Sequence, residues 1–437
     1  MIKKIVIFLV SLTVLLSIHS CADSPTTDET ASPGEKTSAN PKTASSGEET
    51  LSSKQPFVAT APIATQQNTA TVAINAFAAN LYAQLSQPAD NLFFSPYSVS
   101  TALAMTYAGA KGDTKIQMAK ALQFKTNEPA IQRGFSELQK SFNNADSSYQ
   151  LKVANSIWVQ KQMTLFAEFT EKLYDFYRIV ARTADFENAT DTARRHINAE
   201  IAKQTEGKIQ DLLAPNLLSS ETRLVLTNAI YFKGKWQIPF NPEKTKELIF
   251  VKLDGSQIKI PTMYQKEEFR LWEDEKVQLI ELPYQTSEKG AALSMFILLP
   301  RQNENFALID KKLPDYLLKS GKELSELSEI AVYLPKFKTE STLRLQEPLK
   351  TLGMINAFDS SADFSGMTDK EKLRISAVVQ KSFIEVNEEG TEAAAATAVV
   401  ASRGRTPVFR ADHPFIFWIK DNRSGTILFL GKIVEPM

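Results

Sequence analysis

Between two apolar runs of this chain, residues 377–386 and 407–419, lie twenty residues dominated by small side chains and ending in two arginines around a glycine: Asn387-Glu-Glu-Gly-Thr-Glu-Ala-Ala-Ala-Ala-Thr-Ala-Val-Val-Ala-Ser-Arg-Gly-Arg-Thr406. The flanks are dense in Val, Ile and Phe and read as strands. Propensity alone makes 391–398 a helix, because Thr391 can cap it, Glu392 suits its first turn and alanine favours it. Such a helix carries no apolar stripe to dock, and a turn or two of isolated helix is marginal in water. In an extended conformation Thr391, Ala393, Ala395, Thr397 and Val399 share one face, and Glu392, Ala394, Ala396 and Ala398 the other. A strand of that kind can enter between two others at little steric cost. Composition leaves an exposed loop, a short helix and an insertable strand all open.

Residues 1–20 have the form of an export signal: Lys3 and Lys4, an apolar core over 5–18, and a small-residue junction at Ser20. The apolar run is too short to be read first as a spanning helix. Cys21 is the only cysteine of the chain. Ile18-His-Ser-Cys21 resembles the lipobox of a bacterial lipoprotein, although His19 stands where a small or β-branched residue is usual. A lipid on Cys21 would tether the exported protein to a membrane, facing the periplasm or the cell exterior. A plain secretory signal is the alternative and leaves the protein secreted. With Cys21 lipidated the mature chain has no thiol, so disulfides and thiolate chemistry are excluded from it. Residues 22–70, rich in Ser, Thr, Pro, Ala and charge, cannot bury enough apolar surface to fold and read as a disordered tether. Residues 71–437 show no second linker, charge block or repeat, and are expected to form one domain. Acidic and basic residues balance at 50 each, which argues against nucleic acid as a partner.

Helices are expected over 72–85, with Phe77, Leu81 and Leu85 on one face; over 98–110, as a buried segment; and over 192–204, where Ile197 and Ile201 face inward and Gly207 stops the helix. Strands are expected over 151–160, 223–232, 277–282, 292–299, 331–337 and 426–434. The interspersion predicts an α+β domain with large, mostly antiparallel sheets. Catalytic chemistry is scarce. Past the export signal there are two histidines, His196 and His413. No nucleophile elbow, zinc-protease helix or phosphate loop is present; Gly109-Ala-Lys-Gly112 lacks phosphate-loop spacing and reads as a helix end. A carboxylate pair cannot be picked out by spacing. No metal site and no cofactor is expected, and the four tryptophans read as core.

Six blocks in order resemble one family. Asn91-Leu-Phe-Phe-Ser-Pro-Tyr-Ser-Val with Ala102-Leu-Ala-Met-Thr-Tyr-Ala-Gly-Ala-Lys-Gly is similar to the central buried helix of serpins, and Ile197-Asn-Ala-Glu-Ile-Ala-Lys-Gln-Thr-Glu-Gly-Lys-Ile to the helix over their main sheet. Leu226-Thr-Asn-Ala-Ile-Tyr-Phe-Lys-Gly-Lys-Trp236, Leu334-Pro-Lys-Phe337, Ala362-Asp-Phe-Ser365 and Phe409-Arg-Ala-Asp-His-Pro-Phe-Ile-Phe-Trp-Ile419 follow. The resemblance covers 72–437 and implies a serpin fold: a large mixed sheet, two further sheets, eight or nine helices and an exposed reactive-centre loop. It further implies a monomeric suicide-substrate inhibitor, not an enzyme, whose cleaved loop inserts into the main sheet and carries a trapped serine protease with it.

Glu388, Glu389, Gly390, Thr391, Glu392, Ala393, Ala394, Ala395, Ala396 and Thr397 then match the hinge of an inhibitory loop. Its inward positions must be small, because a buried charge is penalised, and no proline interrupts it. Counting from the hinge places the bait at Gly404; counting back from His413 gives Arg403. Arginine suits the carboxylate at the base of a trypsin-like pocket, which favours the Arg403–Gly404 bond, with Arg405–Thr406 as the alternative. Ser95, Ser98 and Asn228 resemble the cluster that governs sheet opening, with Gln380 where the family usually has histidine; Trp236, grouped with them, and Glu388 match the region where insertion begins. A non-inhibitory binding protein of the same fold and a cross-class inhibitor of cysteine proteases are the rival readings.

Overall fold

The computed structural model describes residues 68–142, 149–286, 291–317, 324, 326–390 and 406–436. Cys21 and the tether up to residue 67, hinge residues 391–397, and Arg403, Gly404 and Arg405 lie outside these described residues. The chain runs α1 (Thr69–Leu85), β1 (Leu92–Phe94), α2 (Pro96–Tyr107), α3 (Gly112–Ala121), α4 (Glu128–Phe142), β2 (Tyr149–Gln160), α5 (Ala167–Tyr177), β3 (Arg182–Ala184), α6 (Phe186–Gln204), β4 (Leu224–Gly234), β5 (Lys246–Val251), β6 (Gln257–Glu273), β7 (Val277–Pro283), β8 (Leu293–Pro300), α7 (Phe306–Lys311), α8 (Leu313–Leu317), β9 (Ser328–Pro335), β10 (Phe337–Arg344), α9 (Gln346–Thr351), β11 (Ile375–Val386), β12 (Val408–Arg410), β13 (Phe415–Asp421) and β14 (Ile427–Ile433). Nine α-helices are thus present among the described residues.

The strands form two sheets. A five-stranded mixed sheet has the order β10-β11-β4-β2-β3. The other has nine strands, β1-β14-β13-β8-β7-β6-β9-β12, with β5 also on β6. The two further sheets expected are therefore continuous with each other. β6 joins them: its first part pairs β5, its middle β9 and its last four residues β7.

Local chemistry explains the elements that matter most. Asn68 caps α1, its side chain accepting from the Ala70 amide at 2.8 Å. Ser95 caps α2, with Pro96 at the first helical position, and all twelve residues of that helix are buried. Gly109 and Gly112 separate α2 from α3, with Gly112 at φ +49°. α6 starts six residues before the expected 192, because Asp185 accepts from the Asn188 amide and a kink at Ala189 lets the helix begin earlier. It ends as expected, with Gly207 at φ +77° donating to Ala202 O at 2.7 Å. The main core fills the space between the sheets around α1 and α2. A second core lies where α6 packs on the five-stranded sheet, with Ile197 and Ile201 against Trp158, Val225, Ala229 and Val379.

Two expected strands are broken by prolines. The run 331–337 divides at Lys336, after Pro335 ends β9. The run 407–419 divides into β12 and β13 at Asp412-His413-Pro414.

Candidate functional site: the seam between β4 and β11 and the turn above it

The chain leaving β11 leads straight into the small-residue segment, so what lies beside β11 decides what that segment can do. Its neighbour is β4, and the two strands are parallel, paired from Ile375–Leu224 to Phe383–Tyr231 with a bulge between Ile375 and Ala377. Their other partners, β10 and β2, are both antiparallel to them. The centre of the sheet therefore holds a parallel ladder between strands that are far apart in sequence.

Above the seam, Asn387 to Gly390 close a tight turn. The Asn387 amide donates to Gly390 O at 2.9 Å, and the Gly390 amide returns to Asn387 O at 3.2 Å. The turn is docked on the chain just past β4: the Trp236 amide donates to Glu389 O at 3.0 Å, the Trp236 indole to Asn387 O at 3.0 Å, and the Phe240 amide to Glu388 O at 2.7 Å. Gly390 has φ +135°, and a Cβ there would sit 2.2 Å from Gly234 O, so only glycine fits. Trp236 is itself held by stacking on Tyr284, centroids 4.6 Å apart.

Glu388 is buried, 8% exposed. Its carboxylate meets Lys336 Nζ at 2.9 Å and accepts from Thr245 Oγ1 at 2.8 Å. Burial opposes ionisation, but the hydrogen bonds from Lys336, from the backbone and from Thr245 outweigh it and hold the carboxyl below its ordinary range.

Beneath the seam, on the side of α2, the structure brings Ser95, Ser98, Asn228 and Gln380 together. The Gln380 amide group reads both sides of the Ser95 backbone: its Oε1 accepts from the Ser95 amide at 3.0 Å, and its Nε2 donates to Ser95 O at 3.1 Å and to Asn228 Oδ1. Asn228 Nδ2 donates to Ser98 Oγ and to Asn155 Oδ1. Ser98 Oγ also donates to Asn155 Oδ1, at 3.1 Å, and Ser95 Oγ donates to Leu428 O. A glutamine, which both donates and accepts, closes this network without a histidine.

Asn155 was not singled out from the sequence. An Asn-Ser pair inside an otherwise apolar strand was the available signal, since asparagine is depleted from strands. Trp236, grouped above with the polar cluster, does not join it. It lies beyond the end of β4, and its indole serves the turn of Asn387–Gly390, together with Lys336, Thr245 and Tyr284; the sequence reading named neither Thr245 nor Tyr284 and quoted Lys336 only within Leu334-Pro-Lys-Phe337.

The two histidines have structural surroundings. His196 is exposed on α6 with its ring edge-on to Trp158, 5.7 Å away. His413 bridges Asp412 Oδ1 at 2.8 Å and Pro300 O at 2.6 Å, with no serine among its hydrogen-bond partners. Trp158, Trp236 and Trp418 are fully buried. No group of three or more metal-ligating side chains occurs among the described residues. Thr406, at the exit of the undescribed segment, donates to Glu329 Oε2 at 3.4 Å.

Known proteins are similar to this chain. A family model described as serpin (serine protease inhibitor) matches residues 72–436. The chain is 44% identical to the leukocyte elastase inhibitor of Bos taurus over 374 residues, covering 82% of this chain and 97% of that protein. Among solved structures it resembles serpin48 of the insect Tenebrio molitor, with a TM-score of 0.76 and 34% identity over 84% of this chain and 98% of that one. It resembles human thyroxine-binding globulin in complex with thyroxine equally well in shape, with a TM-score of 0.76 and 30% identity over 84% of this chain and 100% of that one. The chain belongs to the serpin family, a family of protease inhibitors rather than enzymes.

Proposed function

We infer that this protein is a suicide-substrate inhibitor of trypsin-like serine endopeptidases, cut after Arg403. The observation that carries the reading is the central parallel seam. A strand descending from Gly390 between β11 and β4 would run antiparallel to both, replacing one parallel ladder by two antiparallel ones. The residues that would make that strand, from Thr391 on, are small and free of proline.

Sheet depth supports the choice of bond. β4 has 11 residues and β11 has 12. At one residue per strand position, about eleven or twelve residues after Gly390, 391–402, would fill the seam. Arg403 and Gly404 then follow directly. In the proposed cycle the protease serine attacks the Arg403 carbonyl, the bond to the Gly404 nitrogen breaks, and the acyl-enzyme is carried off as the strand inserts, before water completes hydrolysis.

A second reading has a specific observation behind it. The relative named for leukocyte elastase points to a protease with a pocket for small apolar side chains, for which Val400 or Ala401 would be bait. A cysteine protease as target, and a non-inhibitory binding role like that printed for thyroxine-binding globulin, complete the alternatives. At the other end of the chain, Cys21 would carry the lipid that anchors the exported protein to a membrane, with 22–70 as tether.

The test is to mix the protein with excess trypsin, run a denaturing gel and determine the mass of the released peptide. A complex that survives denaturation, with a fragment starting at Gly404 or Thr406, supports the reading. A fragment starting at Ala401 or Ser402 in a complex with elastase favours the second. Cleavage by every protease tried, with no complex, refutes inhibition. Thr391→Arg should turn an inhibitor into a plain substrate, since it places a charge on the inward face.

A further inference from the structure

The seam has a first rung, and its side chains are not those of the polar cluster. Pairing between β11 and β4 stops at Phe383–Tyr231; above it, among the described residues, residues 384–386 pair with β10 and residues 232–234 with β2. A strand entering from Gly390 therefore meets Phe383 and Tyr231 before it reaches Gln380 and Asn228. The two rings stack across the seam, centroids 6.0 Å apart at 25°. They face α6 and the chain that follows it, opposite to the polar cluster. Lys208 Nζ sits 5.5 Å over Tyr231 and Lys338 Nζ 5.1 Å over Phe383, so each ring is capped by a cation from a different element. Close by, Lys381 Nζ donates to Gln210 O at 2.8 Å, pinning the segment after α6 to β11.

We propose that the Tyr231–Phe383 stack, capped by Lys208 and Lys338, is the latch that strand insertion must break first, and that it sets the rate at which the sheet opens. These are positioning residues, since they touch neither the protease nor the scissile bond. The proposal rests on the reading of loop insertion given above. A stacked pair ties two strands together only while the strands are adjacent, and an inserted strand moves them one strand width further apart, about 4.8 Å. The stacking is then lost, whereas Lys338, on β10, stays beside Phe383 because β10 is paired with β11 on the side away from the seam.

The experiment avoids the protease, so that its outcome is separate from that of the capture assay. A synthetic peptide with the sequence of residues 391–402 is incubated with the intact, uncut protein. Its rate of annealing is followed by fluorescence and native gel. Tyr231→Leu and Phe383→Leu keep apolar bulk and remove the stack, and each should speed annealing by about threefold to tenfold. The double variant should gain little more than either single one, because the pair acts as a unit. Lys338→Met, on the far side of β11 from the seam, keeps the stem, removes the charge and should change the rate less than either leucine variant. Tyr174→Leu, at an exposed ring on α5 far from the seam in sequence and element, serves as control and should change nothing.

Annealing at the wild-type rate in both leucine variants, or strictly additive effects in the double variant, overturns the latch. No annealing to any variant overturns it as well. Covalent capture of trypsin by the wild type, measured separately, then tells whether loop insertion fails with it.

Discussion

Gln380 is 0% exposed and satisfies three groups at once: the Ser95 amide, the Ser95 carbonyl and Asn228. Gln380→Ala would leave all three without that partner in a site closed to water. The expected cost is about 2–4 kcal/mol of global stability, read as a lower urea midpoint with unchanged slope. A substitution to glutamate should cost more, because it places a charge where an amide now donates. Glu388 makes a different prediction, in which pH enters. Its folded pKa lies below the ordinary glutamate range, so the stability it contributes is fully present above the unfolded pKa and is lost as pH falls through the folded one. Glu388→Gln should therefore destabilise the protein at neutral pH, by about 1–2 kcal/mol given partial exposure of Lys336. The difference from wild type should shrink to nothing at pH values below the folded pKa. A gap that persists undiminished into acid would mean that packing, not charge, holds the turn of Asn387–Gly390.

At the scale of elements, β13 carries a charge into the core. Lys420 is 8% exposed, sits 4.6 Å over the Phe296 ring and lies near Glu281 and Asp421. Burial pushes its ammonium down from the usual 10.5 to about 8, and the two carboxylates restore it only in part. The folded protein thus binds fewer protons than the unfolded chain between about pH 8 and 10, and stability rises with pH across that window. Lys420→Met should raise stability at pH 7 by about 1–3 kcal/mol and confer no advantage above pH 10, as measured by urea titrations at several pH values. The same strands show what could be read in advance. β8 and β14 are wholly buried and β4, β7 and β11 mostly so, and their largely apolar, β-branched runs announce them. β6, the longest strand, went unread because six of its residues are charged and Pro261 interrupts its pattern; pairing with β5, β9 and β7 in turn holds it extended. The polar cluster was legible through Ser95, Ser98, Asn228 and Gln380, since uncharged polar residues inside apolar blocks need partners. The docking of the turn at Asn387–Gly390 was not, because Thr245 and Tyr284 come from distant elements with no local pattern to mark them, and the block that holds Lys336 does not tell what it pairs with.

For the whole molecule, the parallel seam makes a prediction that depends on no single side chain. β11 and β4 are antiparallel to their outer neighbours and parallel only to each other. Pairing of this kind is slightly weaker per residue than an antiparallel ladder, and it occupies the middle of a sheet whose two faces both carry core. Residues 391–402 are covalently attached at the open end of that seam and can supply a strand antiparallel to both sides. While the loop is intact, its other end is held at Thr406 and β12, which pairs with β9 in the other sheet. On the proposed reading, that restraint, and not a lack of affinity between strands, keeps the seam closed. Cutting the chain anywhere within 403–405 removes the restraint without changing a residue of the sheet. The nicked protein should then be the more stable form, with a thermal midpoint higher by about 10 °C or more, whereas a nick in an ordinary surface loop lowers stability or leaves it unchanged. Calorimetry of the protein before and after limited proteolysis, with the cut mapped by mass, reads the difference directly. A nicked form that melts at or below the intact one would mean that the seam does not accept the strand, and inhibition by insertion would fall with it.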